Sequence, residues 1–204
     1  MIVGTRLDLF LSYGSSYSYL AVMRLPALAR AAGVELVWRP FSLADLLGEV
    51  GLAEGPFAAY PNKLRYMWRD LERRARKFGL PFETRPAYPW PYKEAGLVAI
   101  LAQDEGWVAP FSQAVYRAAF ADGAVLGAPE TLRGAIGSAG QDPERVMQQV
   151  ASQEVAAVWD TNTDLARGLG IFGVPSFVVD GELFWGGDRI EDALDWATAK
   201  GAQA

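Results

Sequence analysis

The 204-residue chain contains no cysteine and no histidine. Disulfide exchange needs a thiolate attacking sulfur, so the chain cannot carry it out with its own side chains. Ser-His-Asp hydrolysis, histidine-ligated zinc and cysteine-rich metal centres are excluded as well. Any general base must be Asp, Glu, Lys, Tyr or a ligand. There is no Walker-type loop and no Gly-x-Gly-x-x-Gly after a strand. No apolar run approaches the length of a membrane span. The first residues, Met1 to Arg6, lack the basic-then-apolar layout of a signal peptide, so the expected location is cytoplasmic, with no membrane partner. A net charge of -5 argues against a nucleic-acid partner. What is present is an ordinary globular composition, 51% hydrophobic and 21% charged, enough to bury a sizeable core. Length allows one domain, or one domain with an insertion.

The chain opens with a short apolar run, Leu7 to Leu11, which reads as a strand. A polar turn, Ser12 to Ser16, leads into a helical pattern from Tyr17, with Leu20, Met23, Ala27, Leu28 and Ala31 at three- and four-residue spacings. Ser15 or Ser16 is its expected N-cap, Pro26 predicts a kink and Gly33 ends it. Val34 to Pro40 alternates and reads as a second strand, completing a βαβ unit. From about Phe41 to Gly170 the pattern is mostly helical. Asn62 to Phe78 is the clearest helix, with Leu64, Met67, Leu71, Ala75 and Phe78 as its apolar stripe. Weaker helical patterns cover 95–103, 111–120, 129–138, 143–152 and 154–169, and Pro143 after Asp142 is a good start signal. Ile171 to Trp185 then carries two apolar runs separated by Asp180-Gly181, a strong hairpin signal, and Ile190 to Ala199 closes the chain as a helix. The expected fold is α/β: a βαβ unit, a large helical insertion and a C-terminal β-hairpin–helix. It divides into 1–40 with 171–204 as one unit and 41–170 as the inserted one.

Four segments are candidates for chemistry. Ser15 to Ser18 sits at a strand-to-helix junction, where free N–H groups and a partial positive charge stabilise an anion, including a thiolate; plain capping is the alternative. The helix from Asn62 to Lys77 carries seven basic side chains against Asp70 and Glu72 in an acidic chain. It could attract a carboxylate, although most of these charges fit a solvated face. Arg74 and Arg76 are read as solvent-facing, whereas Lys63 and Tyr66, three apart, share a face. Tyr88-Pro89-Trp90-Pro91-Tyr92 is a rigid aromatic loop that either walls a pocket or connects helices, with Tyr88 as its candidate for substrate contact. In Phe184 to Arg189, glycines permit close backbone approach to a ligand, and Asp188 is either a ligand contact or the N-cap of the last helix.

Gly173-Val174-Pro175-Ser176-Phe177 before the hairpin resembles the cis-proline corner of thioredoxin-fold proteins. Along nearly the whole chain the segments are similar to the 2-hydroxychromene-2-carboxylate isomerase family and the related kappa-class glutathione transferases, DsbA-like thioredoxin folds with an insertion. The resemblance rests on Ser15-Ser16-Tyr17-Ser18-Tyr19-Leu20-Ala21, Leu25-Pro26-x-Leu28-Ala29, Pro61-x-Lys63-x-x-Tyr66-x-x-x-Asp70-x-x-Arg73-x-Ala75 and Gly79-Leu80-Pro81-Phe82. Its most specific part is Gly170 to Phe177 with Leu183 to Arg189. Ser16, Ser12, Leu52 and Pro91 depart from the family pattern, which has proline, aspartate, asparagine and asparagine there. The resemblance implies a glutathione-dependent cis–trans isomerase of an aromatic carboxylate in aromatic-compound degradation, and it leaves a homodimer open. Glutathione, or another low-molecular-weight thiol, would supply the missing sulfur. Ser15 would contact that sulfur, Val174 would pair with the cysteinyl backbone beside cis-Pro175, and Asp188 would lie near the γ-glutamyl end. Trp185 and Arg189 complete the implied thiol site, and Lys63, Tyr66 and Tyr88 the substrate side. The alternatives are a kappa-like transferase and a non-catalytic thiol- or peptide-binding protein.

Overall fold

Leu7, Leu9, Phe10 and Leu11 are fully buried, because the first strand is covered on both faces. The computed structural model describes residues 6–52, 55, 57, 60–83 and 91–201. Its first elements are β1 (Arg6–Leu11), α1 (Ser16–Ala32) and β2 (Glu35–Pro40), followed by α2 (Leu43–Glu49) and α3 (Pro61–Phe78). Then come α4 (Lys93–Glu105), α5 (Val108–Ala121), α6 (Pro129–Ser138), α7 (Pro143–Val150) and α8 (Gln153–Gly168). The chain closes with β3 (Ser176–Val179), β4 (Glu182–Trp185) and α9 (Ile190–Gly201). The strands form one sheet in the order β2-β1-β3-β4. β1 and β2 run parallel, joined by the α1 crossover, whereas β3 is antiparallel to both β1 and β4.

One apolar cluster takes Leu7, Leu9 and Leu11 from the sheet and continues through α1, α3, α5 and α9. A smaller one gathers Phe10, Val174 and Val178 with Phe41 and Leu46 on the opposite face. Asp180 (φ 49) and Gly181 (φ 81) both take the left-handed conformation that a two-residue hairpin turn demands. Gly33 ends α1 in the same conformation at φ 68. Asp142 caps α7 with Pro143 at its first position, as its sequence signals.

Two local features, α2 and Asp188, differ from the sequence reading, and Pro26 is accommodated inside its helix. α1 continues through Pro26 as one helix. The missing proline N–H frees the carbonyl of Val22 four residues back, and Gln113 on α5 donates to that carbonyl at 3.4 Å. α2 has no counterpart in the sequence reading. It is only seven residues long with one buried side chain, Leu46, so it leaves almost no periodic signal. Asp188 is not positioned as the N-cap of α9. The first helical bond there runs from Ala193 N–H to the carbonyl of Arg189, one residue later.

Candidate thiol and substrate site

β1 delivers the chain into a tight turn from Ser12 to Ser15, closed by Ser15 N–H donating to Ser12 O at 2.9 Å. Ser15 is the N-cap of α1, extended in backbone, and its Oγ accepts from Ser18 N–H at 3.4 Å. Because Oγ acts there as an acceptor, its proton remains available to an anion in front of the helix. Among the described residues the N–H groups of Ser16 and Tyr17 reach no acceptor. Next to this turn, Val174–Pro175 is a cis peptide. The register places it there: Ser176, one residue on, pairs with Phe10 near the end of β1. Val174 is buried, and among the described residues its own N–H and C=O have no hydrogen-bond partner.

β4 supplies the other wall. Trp185 pairs with Ser176, and Gly186 N–H donates to Pro175 O at 2.9 Å. Trp185 is 54% exposed and meets the exposed Phe172 ring edge-to-face at 4.9 Å. A Cβ on Gly173 would lie 2.6 Å from Trp185 Nε1, so glycine is what lets the indole settle over the corner. Gly186 (φ 106) is likewise closed on by Asp188 Oδ1, 2.6 Å from where its Cβ would stand. Arg189 donates to Asp188 at 3.1 Å and to Asp192 at 2.7 Å. Burial raises the pKa of Asp188, but the Arg189 hydrogen bond, its own backbone N–H and the charges of Arg189 and Arg74 outweigh it. The carboxyl is held below its ordinary range.

α3 lies across the start of α1, with Met67 Sδ 3.0 Å from the buried Ser16 Oγ. Lys63, Met67, Asp70 and Arg74 follow one another at four-, three- and four-residue steps, which is a single helix face. Lys63 therefore sits one turn, about 5.4 Å, from the residue that touches α1. Its ammonium lies 5.7 Å from the centre of the Phe57 ring, and it borders an open cavity of about 670 Å³ with Tyr60, Pro61 and Asn62. Tyr66 is 60% exposed, with the Arg73 guanidinium 5.5 Å above its ring. Tyr88 lies outside the described residues.

Sequence reasoning gave Asp70 and Tyr17 no role, and it read Arg74 as a solvent-facing charge. The structure corrects that. Tyr17, in the first turn of α1, donates to Asp70 Oδ2 at 3.1 Å, and Arg74 Nε reaches the same oxygen at 3.2 Å. Burial, then the Asp70 carboxylate, push the Tyr17 phenol well above its ordinary pKa, so it stays a donor. Tyr17, Asp70 and Arg74 thus form one hydrogen-bonded cluster that ties the first turn of α1 to α3. The signal was present in sequence: Asp70 and Arg74 are four apart, in the favourable acid-before-base order. What sequence could not show is that Tyr17 meets them.

A helix N-terminus beside a cis-proline corner in a βαβ–hairpin sheet is a thioredoxin-type arrangement, and the chain belongs to the DSBA-like thioredoxin domain family, which matches residues 6–195. It is 29% identical over 185 residues to the 2-hydroxychromene-2-carboxylate isomerase of Sphingobium xenophagum, covering 91% of this chain and 94% of the relative. A solved structure of a 2-hydroxychromene-2-carboxylate isomerase superposes with a TM-score of 0.83 at 26% identity, covering 97% of this chain and 98% of that one. A probable DsbA oxidoreductase from Streptomyces coelicolor shares the fold at a TM-score of 0.75 and 22% identity, over 96% of this chain and 91% of its own.

Proposed function

We propose that this chain is a thiol-dependent isomerase of the 2-hydroxychromene-2-carboxylate type, with glutathione or an equivalent low-molecular-weight thiol as its cofactor. The observation that carries the reading is Ser15, in a chain without cysteine, as N-cap of α1 beside the Val174–Pro175 corner. A site built in this way has the surroundings that stabilise a thiolate but lacks the sulfur. The residues fit such a ligand. Val174 offers a main-chain N–H and C=O without partners among the described residues, matching the paired backbone groups of a cysteinyl unit. Asp188, ionised through ordinary pH, fits an ammonium at the γ-glutamyl end.

Bound there as a thiolate, the thiol supplies a nucleophile for reversible addition to the substrate's conjugated double bond, which lets that bond turn. The Ser15 hydroxyl donates to the sulfur, and the Ser16 and Tyr17 N–H groups add the positive end of the helix. Lys63, a compact point charge beside the Phe57 ring, holds the carboxylate of an aromatic acid. Tyr66 lies on the same side of α3.

The test follows the absorbance of 2-hydroxychromene-2-carboxylate with the purified chain at increasing glutathione. The expected outcome is isomerisation that saturates with thiol and is not supported by S-methylglutathione. No turnover at any thiol concentration overturns the reading, and accumulation of a stable thioether assigns a transferase instead.

A further inference from the structure

The turn that presents Ser15 is held from beneath by a helix of the inserted segment. α5 offers Ser112 and Tyr116, one turn apart on one face. Ser112 Oγ pairs with the hydroxyl of Tyr13 at 2.5 Å. The Tyr116 hydroxyl donates to Ser12 O at 3.3 Å and to Ser15 O at 3.4 Å, spanning the two ends of the turn. The two tyrosine rings stack at 5.5 Å, and both are buried. On another side the Tyr92 ring closes on Gly14, with ring carbon 2.8 Å from where a Cβ would stand. The turn is thereby held by buried α5 side chains on one side and by the Tyr92 ring on another.

From this arrangement we infer that Tyr116 is a positioning residue of the thiol site, acting through the backbone of Ser15. The inference rests on the proposed thiol-binding role of Ser15. Its physical content is specific. Of the two carbonyls that Tyr116 reaches, Ser12 O also accepts from Ser15 N–H, whereas Ser15 O has the Tyr116 hydroxyl as its one hydrogen-bond partner among the described residues. Removing the Tyr116 hydroxyl therefore leaves the Ser15 carbonyl without that partner. It frees the turn to shift, which alters where the Ser15 hydroxyl points. Burial and the neighbouring Tyr13 keep the Tyr116 phenol well above its ordinary pKa, so the bridge persists across the pH range of any assay.

Tyr116→Phe keeps the ring and deletes the bridge. Tyr19→Phe is the matched control: it deletes a buried-cluster hydroxyl that bonds Pro81 O, away from the turn. Thiolate absorbance of glutathione bound to each full-length variant is titrated against pH, and glutathione affinity is measured calorimetrically. Tyr116→Phe is expected to raise the bound thiol pKa by about half a unit to one unit, with a roughly three- to tenfold weaker thiolate complex. Tyr19→Phe is expected to leave that pKa unchanged even if it melts earlier. A Tyr116→Phe titration superimposing on that of the unaltered protein overturns the inference while leaving the Ser15 reading intact. Failure of the unaltered protein to bind glutathione overturns both. Should Tyr116→Phe not fold, Ser112→Ala takes its place, since it removes the other α5 anchor. A smaller shift in the same direction supports the inference, and none overturns it.

Discussion

Ser15 Oγ accepts one hydrogen bond from within its own helix and keeps its proton for the space in front. If that proton stabilises a bound thiolate, Ser15→Ala should raise the thiol pKa by on the order of one to two units, the equivalent of a hydrogen bond of about 1.5–3 kcal/mol to a charged acceptor. Ultraviolet titration of the complex reads this directly, and an unchanged curve would leave the helix N–H groups as the sole source of stabilisation. Lys63 makes a second test. Lys63→Ala should cost catalysis toward the aromatic acid about ten- to a hundredfold, with little change in thiol affinity. Arg76, exposed on the same helix, should cost about 0–1 kcal/mol at most. Steady-state kinetics at two salt concentrations separate the two cases. Equal losses erased by salt would mean long-range attraction rather than a contact. Arg74 cannot serve as the inert control that its sequence context suggests, because it is tied to Asp70 and shares that carboxylate oxygen with Tyr17.

At the scale of elements, periodicity located α1 and α3, since each buries an apolar face, and the Asp180-Gly181 turn located the hairpin. In α3 that face is Met67, Trp68, Leu71 and Ala75. Signals failed where they depended on tertiary partners. α2 is too short to have a period. Inside α1, the carbonyl that Pro26 leaves free is taken up by Gln113 from another helix. Asp188 has the chemistry of a cap but turns to Gly186 and Arg189 instead. The N-cap at Ser15 and the cis bond at Val174–Pro175 were legible because turn and corner motifs are local, whereas Tyr116 lies 101 positions from Ser15 and carries no motif. The helical block has its own tie between elements. Glu105 at the end of α4 takes a two-pronged contact from Arg145 on α7, at 2.7 and 2.9 Å. It also accepts from Trp107 Nε1 at 2.7 Å. The hydrogen bonds from Arg145 and Trp107 lower its pKa from 4.5 to about 2. Since the folded value is the lower one, the stabilisation is present above about pH 4.5 and fades as pH falls toward 2. Glu105→Gln should therefore melt earlier than the unaltered protein at neutral pH. Thermal melts across the acid range should show the gap closing between these two values.

The whole molecule is organised by a sheet whose inner strands come from opposite ends of the chain. β1 is paired on one side by β2, which follows it closely, and on the other by β3, whose Ser176, Phe177 and Val178 lie opposite Phe10, Leu9 and Asp8. The described elements between β2 and β3 are all helices. No helix among the described residues is long and apolar enough to cross a membrane. This layout sets the order in which the molecule can be assembled during synthesis. The βαβ unit and the helices after it emerge first, with the β3-facing edge of β1 still open. The loop closed by β3 spans most of the chain, so its entropy must be overcome before the pairing repays it. Ser15 is thus among the first parts of the site to be made, yet it stands in a finished pocket only after Val174, Pro175 and the hairpin have left the ribosome. Until then the growing polypeptide carries an unpaired strand edge, the kind of surface that chaperones cover.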